Sequence, residues 1–117
     1  MTDKELVLET LGYYTHGGTN GDPKTVAKAF HPSAFMKFVK EEKLIDVPIN
    51  DYFTKFIQEG VIQNRTVAID NIDITGNAGS AKLTIDYPTH QFVDYFNLLK
   101  VDGAWLIVSK IFQRIDK

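Results

Sequence analysis

The 117-residue chain contains no cysteine. A disulfide framework and any cysteine-ligated metal centre are therefore excluded. It has no excess of positive charge: 13 Lys and Arg against 15 Asp and Glu leave a net charge of -2. Nucleic-acid binders usually concentrate basic residues, so no nucleic-acid partner is expected. No apolar run approaches the roughly 20 residues that cross a bilayer, so no membrane partner is expected. The stretch Met1-Thr2-Asp3-Lys4-Glu5 lacks the basic-then-apolar order of a secretory leader, and a cytoplasmic location is expected. Asn64-Arg65-Thr66 spells a glycosylation sequon that is coincidental in that context. His16, His31 and His90 have no metal-ligand spacing. Neither a metal nor a cofactor is expected. No internal repeat, low-complexity segment or linker interrupts the chain.

What is present is an apolar fraction of 44 %, enough for one globular domain spanning residues 1–117. The densest apolar stretch runs from Gln91 to Arg114. Two runs rich in β-branched and aromatic residues flank Asp102-Gly103, a strong hairpin signal. Both faces of each run are largely apolar, so the hairpin is expected to be covered on both sides. Asp94, between Val93 and Tyr95, stands out as the polar residue in mid-strand.

Earlier in the chain, Thr2 and Glu5 have capping-box spacing, which predicts a helix from Asp3. Val7, Leu11 and Tyr14 form its apolar stripe, and Gly17-Gly18 is expected to end it. Asp22 with Pro23 predicts a second helix that turns Val26, Ala27 and Phe30 inward and stops at His31-Pro32. Ala34 to Val39 and Lys43 to Val47 read as short strands around the charged Lys40-Glu41-Glu42 loop. Pro48 to Glu59 returns to helical spacing, with Gly60 as its stop. From Asn64 the period becomes two. The parity changes between Ile69 and Ile72, which predicts a β-bulge near Asp70-Asn71. Ala81, Leu83, Ile85 and Tyr87 alternate with polar residues as a half-exposed strand. Helices early and strands late indicate an α+β fold: three helices on one face of a long, bent, mainly antiparallel sheet.

Tyr14, Gly21-Asp22-Pro23, Ala29-Phe30-His31-Pro32, Val93-Asp94-Tyr95-Phe96 and Asp102-Gly103-Ala104-Trp105 together resemble the NTF2-like superfamily of cone-shaped α+β proteins. Within it the chain is similar to the putative lumazine-binding, SnoaL-like group. The resemblance spans essentially the whole chain and implies a cone with an apolar interior. It implies less about function, since isomerases, dehydratases, cyclases and non-enzymatic binders share the fold. Compared with ketosteroid isomerase, Tyr14 and Asp94 match the positions of the oxyanion-hole tyrosine and aspartate. The position of the general base holds Phe38, so that isomerisation is not expected.

These residues leave two readings open. A carboxyl in an apolar cone is costly to ionise and can serve as a proton donor, which makes Asp94 and Tyr14 candidate catalytic residues. Asp94 can equally fix the sheet against the helix by a structural hydrogen bond. Tyr14 can equally be a core tyrosine with a satisfied hydroxyl. The aromatic set Phe30, Phe38, Tyr52, Phe53, Phe56, Phe96 and Phe112 supplies candidate pocket residues for a small apolar or aromatic ligand. The alternatives are a lyase or isomerase using Asp94 and Tyr14, or a protein-interaction module. A homodimer is expected through the outer face of the sheet, with Trp105, Ile107 or Tyr95 in the contact.

Overall fold

The computed structural model describes residues 1–117. The first helix, α1, spans Asp3–Thr19. The Thr2 hydroxyl accepts the Glu5 amide at 3.2 Å, and the Glu5 carboxylate accepts the Thr2 amide at 3.1 Å. This reciprocal cap contributes about 1 kcal/mol to the start of the helix. Val7, Leu11 and Tyr14 are buried, as the stripe predicts. The helix does not stop at Gly17-Gly18 but runs on to Thr19. These glycines are there for close approach. A Cβ on Gly17 would lie 2.7 Å from Val26 Cγ2, and one on Gly18 would lie 2.5 Å from Arg65 Nη2. Gly21, at a φ of +63°, makes the left-handed turn that follows.

Helix α2 spans Pro23–Ala27, and the Asp22 side chain accepts the Thr25 amide at 3.3 Å. Phe30 is buried as expected but opens strand β1, Phe30–Lys40. His31-Pro32 thus lies inside the strand, where the pairing register slips between Phe30 and Phe35. Such a slip accommodates a proline, which cannot donate to the ladder. Strand β2 covers Lys43–Pro48, and helix α3 covers Ile49–Lys55. The helical spacing continues to Glu59, but the helix ends earlier. The Gly60 amide bonds Gly21 carbonyl oxygen and the Gln63 amide bonds that of Thr19, both at 2.8 Å. These bonds tie the following loop to the end of α1.

Strands β3 (Thr66–Thr75), β4 (Ala78–Asp86), β5 (His90–Val101) and β6 (Ala104–Asp116) complete a six-stranded sheet of order β2-β1-β6-β5-β4-β3. Every pairing is antiparallel except β1 with β6. The expected bulge falls at Asp70, where the register with β4 shifts between Ile69 and Asn71. A second shift leaves Val108 unpaired between the Leu98–Ile107 and Asn97–Ser109 pairs.

The core lies between the helices and one face of the sheet, where Leu83, Ile85, Phe96, Leu98, Trp105 and Ile107 are buried with Val7 and Leu11. Trp105 is 2 % exposed and Ile107 is fully covered, so neither is on the outer face. The Trp105 indole donates to Asp3 at 3.1 Å, and its carbonyl accepts the Thr10 hydroxyl at 2.7 Å. The tight turn pairs Leu98 with Ile107, and paired residues share a face, which carries both inward. The outer face instead presents Phe35, Tyr95, Leu99 and Ile111.

Candidate functional site

Tyr14 projects from α1 toward β5, where Asp94, Phe96 and Leu98 share the inward face. The Tyr14 hydroxyl donates to Asp94 Oδ2 at 2.7 Å. Asp94 is 1 % exposed, and its other carboxylate oxygen has no hydrogen bond within the protein. The Phe96 ring meets Tyr14 edge-on with centroids 4.9 Å apart, which holds the phenol in place. Burial, followed by the charge of Asp94, pushes the Tyr14 phenol well above its ordinary pKa.

Both residues face a cavity of about 560 Å³ between the helices and the sheet. Tyr52, Phe56, Phe92 and Phe112 form much of its aromatic wall. Of the aromatic residues singled out in the sequence, Tyr52, Phe56 and Phe112 line the cavity. The other four do not. Phe30 and Phe96 are buried in the core beside Tyr14, where edge-on ring packing uses up their surface. Phe53 sits on the neighbouring side of α3 and packs on Phe30 at 5.7 Å. Phe38 lies behind Phe112 with the rings stacked at 4.6 Å. One turn of helix or one strand position separates wall from core, and aromatic composition does not distinguish them.

The cavity also holds charges that the sequence reading passed over. Lys110, on β6, is only 5 % exposed. Its ammonium lies 4.8 Å from the Tyr14 ring centre, 4.2 Å from Tyr52 and 5.4 Å from Phe112. No carboxylate lies within 4.0 Å of it. Arg65 precedes β3 and is held by neutral oxygens: Thr19 Oγ1 at 2.8 Å, the Thr15 carbonyl at 3.0 Å and the Tyr87 hydroxyl at 3.2 Å. Lys110 was invisible because its direction depends on the Val108 bulge. Arg65 could have been suspected from Gly18, since a glycine inside a helix often marks a close approach.

The arrangement can offer a hydrogen bond, accept one at the free Asp94 oxygen, and present positive charge to a planar molecule. No group of three or more His, Asp or Glu side chains converges as a metal site would require.

A family model described as Putative lumazine-binding matches residues 2–113. The chain belongs to this family. The chain is similar to solved structures of NTF2-like proteins. An NTF2-like protein of unknown function from Shewanella baltica OS155 is 33 % identical, with a TM-score of 0.85 over 96 % of this chain and 93 % of that one. One from Methylobacillus flagellatus KT is 32 % identical, with a TM-score of 0.86 over 96 % and 91 %. The chain is also similar to Aldolase FrzH of a Cladobotryum species, at 24 % identity over 113 residues, 95 % of this chain and 90 % of that protein. The similarity to these NTF2-like structures agrees with the α+β class and the helix-covered sheet seen here.

Proposed function

We propose that the protein binds a small aromatic or apolar molecule in the cavity between the helices and the sheet, with Asp94 and Tyr14 as its polar anchors. The buried Tyr14–Asp94 hydrogen bond facing an aromatic-walled cavity carries this reading. Ligand sites are mostly apolar with a few placed polar groups, and about 300–1,000 Å³ is their usual size. The description of the family as lumazine-binding supports a planar ligand. The test is an amide-proton NMR titration with 2-naphthol and with lumazine. Shifts are expected at Tyr52, Phe92, Asp94 and Phe112, and affinity should fall about tenfold in Asp94→Ala. Shifts confined to the outer face of the sheet, or none, would overturn the reading.

A second reading, carbonyl chemistry of lyase or isomerase type, draws support from the similarity to Aldolase FrzH. In it Asp94, in its protonated form and backed by the Tyr14 hydroxyl, donates to a carbonyl oxygen and stabilises the negative charge that develops there as a neighbouring carbon gives its proton to a base this reading leaves unassigned. Phe38 supplies no base, and Asp94 is the one carboxylate in the lining. Exchange of the methyl protons of 2-acetonaphthone in heavy water tests it directly. Exchange above the buffer rate that disappears in Asp94→Asn supports the enzyme; buffer-rate exchange ends that reading.

We also propose that two copies pair through the outer face of the sheet. Tyr95, 46 % exposed, lies beside Ile111, 49 % exposed, on adjacent strands. Phe35 extends this surface onto β1. Exposed apolar residues grouped on one face in this way favour self-association, and a two-fold contact closes it.

A further inference from the structure

We infer that the cavity selects aromatic ligands that carry a negative charge, and that Lys110 is the residue that binds the charge. The inference rests on the ligand-pocket reading above and deepens it by assigning the ligand class.

Lysine is almost never buried without a partner. Lys110 is 5 % exposed, lies on the inward row between Met36 and Phe96, and has no carboxylate within 4.0 Å. Its ammonium has three donors, and no protein acceptor bonds any of them. The faces of Tyr14, Tyr52 and Phe112 attract the cation. Ring faces replace only part of the lost hydration, so the site is left short of an acceptor and of a negative charge.

The other charges in the cavity do not supply it. Lys55 is paired with Asp51 at 3.8 Å and Arg114 with Asp116 at 2.9 Å. Arg65 bonds only neutral oxygens. Asp94 is the single acid in the lining, and it accepts the Tyr14 hydroxyl. Two unpaired cations against one carboxylate leave the unliganded cavity with a positive excess. A carboxylate, sulfonate or enolate on a planar ring would accept from Lys110 while the ring rests on Phe112 and Phe92.

Isothermal calorimetry with 2-naphthoate and its neutral isostere 2-naphthamide tests this, using the wild type and Lys110→Met, which keeps the side-chain volume. In the wild type the naphthoate should bind at least about tenfold more tightly than the amide. In Lys110→Met that preference should vanish, because only the naphthoate loses a charge partner. A salt series on the wild type needs no variant: rising salt should weaken naphthoate binding and leave the amide unchanged. Equal affinities in the wild type, or a preference that survives in Lys110→Met, would overturn the inference while the pocket reading stands. If neither probe binds, the pocket reading fails and takes this inference with it.

Discussion

The hydroxyl of Tyr14 and the carboxylate of Asp94, 80 residues apart in sequence, meet at 2.7 Å and tie the first helix to the fifth strand. The bond is buried from bulk solvent, and its loss leaves the Asp94 oxygen without its donor. Tyr14→Phe should therefore destabilise the fold by about 1–3 kcal/mol, the cost of an unsatisfied buried acceptor. Urea unfolding of both proteins at neutral pH measures it. A difference near zero would mean that the carboxylate finds another donor.

The same residue predicts an alkaline weakness. Burial and the Asp94 charge raise the Tyr14 phenol above the 10.0 of a free tyrosine. Below that pH the phenol is neutral in both states and its stabilising contribution is complete. Above it the unfolded chain releases the proton while the folded chain holds it, so the contribution is lost as pH rises toward the folded value. Wild-type stability should thus fall more steeply than that of Tyr14→Phe between pH about 9 and 11. Parallel slopes would remove Tyr14 from the account.

Two glycines of α1 should respond to alanine with opposite signs. A Cβ on Gly12 would meet only His16 Cδ2, at 3.6 Å, an ordinary contact. Gly12→Ala should stabilise by about 0.5–1 kcal/mol through helix propensity. A Cβ on Gly17 would lie 2.8 Å from the Val26 amide nitrogen, which is backbone and cannot swing away. Gly17→Ala should destabilise by about 1–3 kcal/mol through overpacking. Thermal melts of the two variants give the comparison.

Sedimentation velocity tests the proposed pairing of sheets. The wild type should run at twice the chain mass at micromolar concentration, and Ile111→Glu should run as one chain with an unchanged far-ultraviolet spectrum. A wild type at single-chain mass would refute the dimer. A dimer untouched by Ile111→Glu would move the contact elsewhere.

Short-range chemistry was legible without the fold. The Thr2–Glu5 cap, the Val7, Leu11 and Tyr14 stripe, the alternation through β4 and the bulge at Asp70 depend on neighbours within a few residues. The inward direction of Trp105 and Ile107 was also within reach. The Asp102-Gly103 turn pairs Leu98 with Ile107, and cross-strand partners share a face. The choice of an outer face for them overlooked that register. The glycines inside α1 misled for another reason. Glycine ends helices and permits close approach alike, and only the position of Val26 and Arg65 tells which.

The residues alone indicate the α+β class, the first helix and its face, and an out-of-place aspartate in mid-strand. The tertiary structure decided what surrounds that aspartate. It set β6 parallel to β1 and left Val108 out of the pairing. That one unpaired residue reverses the parity of everything after it on β6. Without it Ser109 would face inward opposite Phe96; with it Phe96 pairs with Lys110, and the lysine enters the cavity. The side-chain period of a strand is two, so a single bulge turns a surface lysine into a buried one. No local pattern announces it, because the run from Trp105 to Val108 is apolar throughout and shows no change of alternation.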